Sequence, residues 1–125
     1  MQDVDLRDLM MTIQEKKQMN ANLSLEFDCV IQVEDVTPLV KVINYAINYI
    51  AQLSDQQMQI SVNATLSNIT LGFTTFTNKE TFPPINPQAQ DMLKQFSASM
   101  DLKAEVGKYA QLLIIFTKFK ERVVV

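Results

Sequence analysis

Residues 37–53, TPLVKVINYAINYIAQL, followed by 58–67, MQISVNATLS, and 69–77, ITLGFTTFT, carry the reading that decides the fold. In the first stretch Leu39, Val42, Ile43, Ala46, Ile47 and Ile50 recur at three- and four-residue spacing, the stripe of an amphipathic helix. Thr37 stands where a cap belongs. Pro38 suits the first helical position, where its missing N–H breaks no bond. Ser54-Asp55-Gln56 ends the helix. In the second stretch Met58, Ile60, Val62, Ala64 and Leu66 alternate with Gln59, Ser61, Asn63, Thr65 and Ser67. That period of two describes a strand with one wet face. Ser67-Asn68 reads as a turn, and residues 69–77 as the returning strand of a hairpin.

The same two periods organise the rest of the chain. Leu6, Leu9, Met10 and Ile13 make a helical stripe running to about Lys17, with Asp5 placed to cap it and Asp8 in its first turn. Leu23, Leu25, Phe27, Cys29, Ile31 and Val33 alternate with polar residues and predict a single strand over 23–33. Asn86-Pro87 repeats the cap-plus-proline device before a helix that turns Ala89, Met92, Leu93 and Phe96 inward. Residues 101–106 and 109–119 read as two strands around Gly107-Lys108, and 121–125 as an end that frays or docks elsewhere.

The expected order is therefore α-β-α-ββ-α-ββ, an α+β fold. The architecture is a two-layer α/β sandwich with a mixed or antiparallel sheet of about five strands and helices on one face. Residues 1–125 form a single domain, with an N-terminal helix and connector over 1–20 and the sandwich core over 21–120.

Composition excludes several chemistries. The 125 residues are 47% hydrophobic and 20% charged, enough apolar content for a core. They contain no histidine, which removes histidine acid–base catalysis, histidine metal ligands and phosphohistidine chemistry from this stretch. Two glycines, Gly72 and Gly107, cannot build a glycine-rich phosphate loop. The net charge of −3, with scattered lysines and arginines, offers no footprint for nucleic acid. Cys29 is the one cysteine, read as a buried, inert thiol. Neither a signal peptide nor a membrane-spanning run is seen, so the expected location is cytoplasmic, with no membrane partner. The N-x-S/T triplets at Asn22, Asn63 and Asn68 are read as chance.

The pattern resembles the ATP-binding domain of sensor histidine kinases and their GHKL relatives. Residues 4–10, VDLRDLM, resemble the lead into that domain, and residues 22–28, NLSLEFD, its first strand. Residues 35–49, DVTPLVKVINYAINY, resemble the helix that carries the family's paired asparagines, and residues 100–116 its closing hairpin. The resemblance implies magnesium and phosphate ligands at Asn44 and Asn48, which have the N-x-x-x-N spacing and lie off the buried stripe. Tyr49, however, follows the second asparagine where the family has a small residue. Aligned by apolar register instead, Tyr45 and Tyr49 take the asparagine places. The acid and glycines that recognise adenine are missing from residues 71–77, LGFTTFT. Residues 78–86 stand in place of the glycine-rich lid. The expectation is a shortened, degenerate member that has lost nucleotide binding, with no catalytic residue, no cofactor and no metal.

Each candidate site has a plainer reading beside it. Asn44 and Asn48 are either residual cofactor ligands or part of a solvated helix face. Tyr45 and Tyr49 are either an aromatic partner surface or rings flanking the core. Phe76 lies on a strand open to pairing, and Pro83-Pro84 in a loop a partner could contact. Glu26 and Asp28 are adjacent acids read as solubilising. The leading expectation is a non-catalytic protein-interaction or regulatory domain with a protein partner, such as a signalling protein. The alternative is residual nucleotide or small-ligand binding without turnover. Self-association is also open to this chain.

Overall fold

A computed structural model describes residues 1–120; the end read above as fraying, 121–125, lies outside the described residues. Ten elements follow one another. A short strand β1 (Gln2–Asp5) leads into helix α1 (Leu6–Lys17), and β2 (Ala21–Leu25) and β3 (Val30–Val33) precede helix α2 (Thr37–Ala51). The hairpin β4 (Met58–Ala64) and β5 (Ile69–Phe76) comes next. Helix α3 (Pro87–Lys94) then joins the hairpin β6 (Ala98–Glu105) and β7 (Tyr109–Phe116).

Five strands form the main sheet in the order β2-β4-β5-β7-β6, with β2 parallel to β4 and the other pairs antiparallel. Ile60, Val62, Leu71, Phe73, Leu112, Ile114 and Phe116 point from it into the core, each 1% exposed or less. Against them pack Leu39, Val42, Ile43, Ala46 and Ile50 of α2, Leu6 and Met10 of α1, and Leu93 of α3. This is the expected α+β sandwich with its helices on one face. None of the described helices is long and apolar enough to cross a membrane.

Three expectations need correction. The single strand over 23–33 is two strands in two sheets. Leu23 and Leu25 pair alongside β4, whereas β3 crosses to an antiparallel two-stranded sheet with β1, an element the sequence reading left unassigned. Asp28, at φ 58°, makes the break. Phe27 is therefore 66% exposed instead of inward, with the Arg7 guanidinium 4.4 Å from its ring centroid, while Cys29 beyond the bend is fully buried. Alternation has the same period whichever sheet a strand joins, so it could not reveal the bend.

The α2 cap is the second correction. Thr37 does not cap. The Asp35 carboxylate accepts from the Thr37 N–H at 3.0 Å, and that bond holds the Asp35 carboxyl below its usual range. Asp5 and Asn86, by contrast, cap α1 and α3 as expected, accepting from the Arg7 and Gln88 N–H groups at 2.9 Å.

The third correction concerns strand ends. Leu66 sits in the β4–β5 turn and is 99% exposed. β6 begins at Ala98, three residues before the expected Asp101, and β7 ends at Phe116 instead of Phe119. Ser97, at φ 52°, turns the chain directly from α3 into β6. Gly107, at φ 77°, makes the β6–β7 turn as anticipated.

Candidate functional site

The two flanks of α2 carry residues of identical spacing and opposite fate. Tyr45 and Tyr49, one turn apart, both turn toward the loop 78–86. The Tyr49 hydroxyl donates to the Pro83 carbonyl at 2.6 Å. The Tyr45 hydroxyl accepts from the Asn86 N–H at 2.8 Å. Their ring centroids are 6.2 Å apart, tilted by 48°. Tyr49 is 3% exposed, and its burial raises its phenol pKa above the ordinary value. Phe82 and Ile85 from the loop pack against the core beside them. At the start of the loop the Thr77 hydroxyl donates to the Leu53 carbonyl at 2.8 Å and accepts from the Lys79 N–H at 3.2 Å. The loop is thus sewn to α2 at Pro83 and Asn86, and at Thr77 to Leu53, two residues past the end of that helix.

On the other flank Asn48 is exposed and lines a cleft of about 340 Å³ with Lys17, Met19 and Asn20, at the C-terminal end of α1. Asn44, one turn earlier on the same side of the helix, is half-buried. Its carbonyl oxygen is fully enclosed and has no hydrogen-bond partner among the described residues. Tyr45 and Tyr49, not the asparagines, face the loop. A ligand set for magnesium and phosphates between helix and loop would need polar oxygens there. That flank presents two phenol rings whose hydroxyls are engaged with backbone, so neither hydroxyl is free to serve as such a ligand.

This burial also removes Tyr49 from the reading of the tyrosines as a partner surface; Tyr45 is half-buried. Tyr49 has almost no area to offer, because its ring is packed and its hydroxyl is bonded. Pro83 and Pro84 remain exposed. Pro83 borders a cleft of about 320 Å³ with Gln52, Lys79 and Phe82. Phe76 is 63% exposed and edges a wider groove of about 500 Å³ between the end of α2 and the β6–β7 turn. Asp55, Thr77, Asn78 and Lys108 line that groove, and Lys108 is paired with Glu105 at 2.9 Å. The Phe76 groove adjoins the Asn48 cleft, the two sharing Ser54 and Gln56, whereas Pro83 borders a third. Glu26 and Asp28 do not act together: the Glu26 carboxylate accepts from the Ala64 N–H at 3.1 Å, whereas Asp28 makes the bend. Among the described residues no three His, Cys, Asp or Glu side chains gather into a metal-binding cluster.

The layout of helix, hairpin, loop, helix and hairpin has close counterparts among solved structures. The histidine kinase domain of the E. coli osmosensor EnvZ superposes with a TM-score of 0.77 over 100% of this chain and 93% of that one, at 7% identity. The fold is that of a histidine kinase ATP-binding domain. The ATP-binding domain of PrrB from Mycobacterium tuberculosis matches with a TM-score of 0.67, 15% identity, and coverage of 96% of this chain and 98% of that one. The catalytic domain of the histidine kinase ThkA matches at 0.64 and 11% identity, covering 94% and 95%. No family model and no curated protein matches the sequence. In this histidine-kinase-like fold, α2 is the helix that the sequence resemblance had singled out.

Sequence reasoning missed two parts of the site. It left Thr77 as one threonine among several. It also gave no role to the Asn86 backbone N–H, whose partner lies 41 residues away. A pair of tyrosines one turn apart on the edge of an apolar stripe, with a proline-rich loop downstream, was the available signal.

Proposed function

We propose that this domain works as a non-catalytic protein-interaction or regulatory module on the histidine-kinase ATP-binding fold. The observation that carries the reading is the pair of bonds from Tyr45 and Tyr49 to the backbone of Asn86 and Pro83. They tie the loop to the helix through side chains of the protein itself. The absence of histidine from these residues and of an acid from 71–77 supports it further. Fold alone does not carry an activity across. Exposed Phe76 and the Pro83-Pro84 segment are the candidate contacts for a protein partner.

A second reading, residual binding of a nucleotide or small ligand without turnover, draws support from the unpartnered Asn44 carbonyl and from the open groove beside Phe76. Melting with and without millimolar Mg-ATP or Mg-ADP separates the two. A ligand at about 100 times its Kd stabilises the native state by about 2.7 kcal/mol, a rise of several degrees for a domain of this size. An unchanged midpoint is the expected result, and a rise of that size would sink the first reading.

A further inference from the structure

Residues 82–86, FPPIN, lie on the tyrosine flank of α2 in the manner of a bound peptide. Phe82 and Ile85, three residues apart, are half-buried and pack against the core, whereas Pro83 and Pro84 between them are exposed. Inward side chains at every third position match the period of a polyproline II helix. The local chemistry favours that conformation. A residue before proline is biased toward extended backbone, and Phe82, Pro83 and Asn86 each precede one. Asn86 is extended, at φ −63° and ψ 121°. Proline also lacks the N–H that a strand ladder needs. Among the described residues no backbone–backbone hydrogen bond holds 78–85. Aromatic hydroxyls hold the segment instead, Tyr49 on the Pro83 carbonyl at 2.6 Å and Tyr45 on the Asn86 N–H at 2.8 Å. Aromatic-lined grooves are the seats in which extended proline-rich segments dock. The seat is also incompletely filled, since a cleft of about 320 Å³ stays open beside Phe82 and Pro83, lined also by Gln52 and Leu53.

We propose that the tyrosine flank of α2 is a docking groove for an extended apolar-Pro-Pro-apolar segment of a partner protein, and that 82–86 occupies it in cis. The segment already seated shows what the groove accepts: two apolar side chains at i and i+3, with a backbone carbonyl and an N–H presented to two hydroxyls. Its hold is modest, two side-chain hydrogen bonds and two half-buried side chains, so an outside segment of the same chemistry competes for the same contacts. Tethering sets the terms of that competition. A short loop presents its own segment at an effective concentration on the order of millimolar, which closes the groove to weak ligands and leaves it open to stronger ones. Displacement of 82–86 frees the Tyr49 hydroxyl that is engaged in the closed state. This inference names the kind of partner for the interaction reading and rests on that reading.

The probe is the end-blocked hexapeptide TFPPIN, the sequence of 81–86. It is titrated by NMR into the full chain with Phe82-Pro83-Pro84-Ile85 replaced by Gly-Ser-Gly-Ser, which frees the groove at unchanged loop length. The expected result is binding to the freed chain, with shifts concentrated on α2 around Tyr45 and Tyr49, and binding about tenfold weaker to the wild type, whose own segment competes. On the freed background Tyr49→Phe removes one hydrogen bond and weakens the peptide about two- to tenfold. Circular dichroism melts establish that each variant is folded. The wild type supplies a second measurement that needs no variant. Trypsin cleavage after Lys79 requires the segment to leave its seat, so millimolar TFPPIN, which contains no lysine or arginine, accelerates it by trapping the open state. Absence of binding to a folded, freed chain overturns the proposal, and so does binding that Tyr49→Phe leaves unchanged. Should the freed chain not fold, an unchanged cleavage rate in the wild type overturns it. Each of these failures leaves the Mg-ATP melt, which tests the interaction reading itself, unaffected.

Discussion

The two flanks of α2 form a natural internal control. Each carries a pair of polar-tipped side chains one helical turn apart, Tyr45/Tyr49 on one side and Asn44/Asn48 on the other. The tyrosine flank is closed: both hydroxyls bond loop backbone, and Tyr49 is packed away from water. The asparagine flank is loose, with Asn48 in water and the Asn44 carbonyl enclosed but unpaired. The difference shows that i, i+4 spacing says only that two side chains share a side. Whether they bind, pin or merely solvate depends on what the chain brings opposite them. Opposite the tyrosines it brings a loop with backbone groups to satisfy. Opposite the asparagines it brings the end of α1 and a cleft.

Removal of the Tyr49 ring breaks the comparison most severely. Tyr49→Ala empties a buried site and leaves the Pro83 carbonyl without its donor. The expected loss is about 3–5 kcal/mol by urea denaturation, with faster proteolysis within 78–86. A loss below about 1 kcal/mol would mean that the loop is held by its other contacts alone.

Tyr49→Phe keeps the ring and removes only the bond, and should cost about 1–2 kcal/mol near neutral pH. It also carries a pH signature. Burial raises the folded-state phenol above its ordinary value of 10.0, so the unfolded chain ionises first. The stabilising contribution is complete below about pH 10. It then falls as pH rises through the unfolded value toward the raised folded one. Stability measured from pH 8 to 11 should therefore decline more steeply for the wild type than for Tyr49→Phe. Parallel curves would show that Tyr49 is no more buried in solution than an ordinary surface phenol.

Asn44→Leu sharpens the comparison from the other flank because its sign differs. Replacing an enclosed, unpaired carbonyl by an apolar group of similar size should be neutral or stabilising by up to about 1 kcal/mol. A clear destabilisation in the same denaturation assay would reveal a partner for that oxygen. Asn48→Ala is the smallest expected effect, within about 0.5 kcal/mol, since the side chain is exposed and no bond from it defines the helix. The four variants together should rank the tyrosine flank far above the asparagine flank.

Much of the fold was legible because local chemistry and tertiary packing agree in it. The stripe of Leu39, Val42, Ile43, Ala46 and Ile50 and the alternation of Ile60 and Val62 describe single faces that the structure buries whole. Asp5, Asn86 and Gly107 perform local tasks whose causes lie within a few residues. The site was legible only in outline. The register of α2 toward the loop was undetermined between Asn44/Asn48 and Tyr45/Tyr49, because both pairs fit a helix.

The sequence by itself determined the helices, the hairpins, the caps on α1 and α3 and the lack of histidine chemistry, all properties of near neighbours or of composition. Tertiary structure alone decided that the alternation over 23–33 divides between two sheets, since a strand's partner is not encoded in its own period. It decided which flank of α2 meets the 78–86 loop, through bonds joining residues 34 and 41 positions apart.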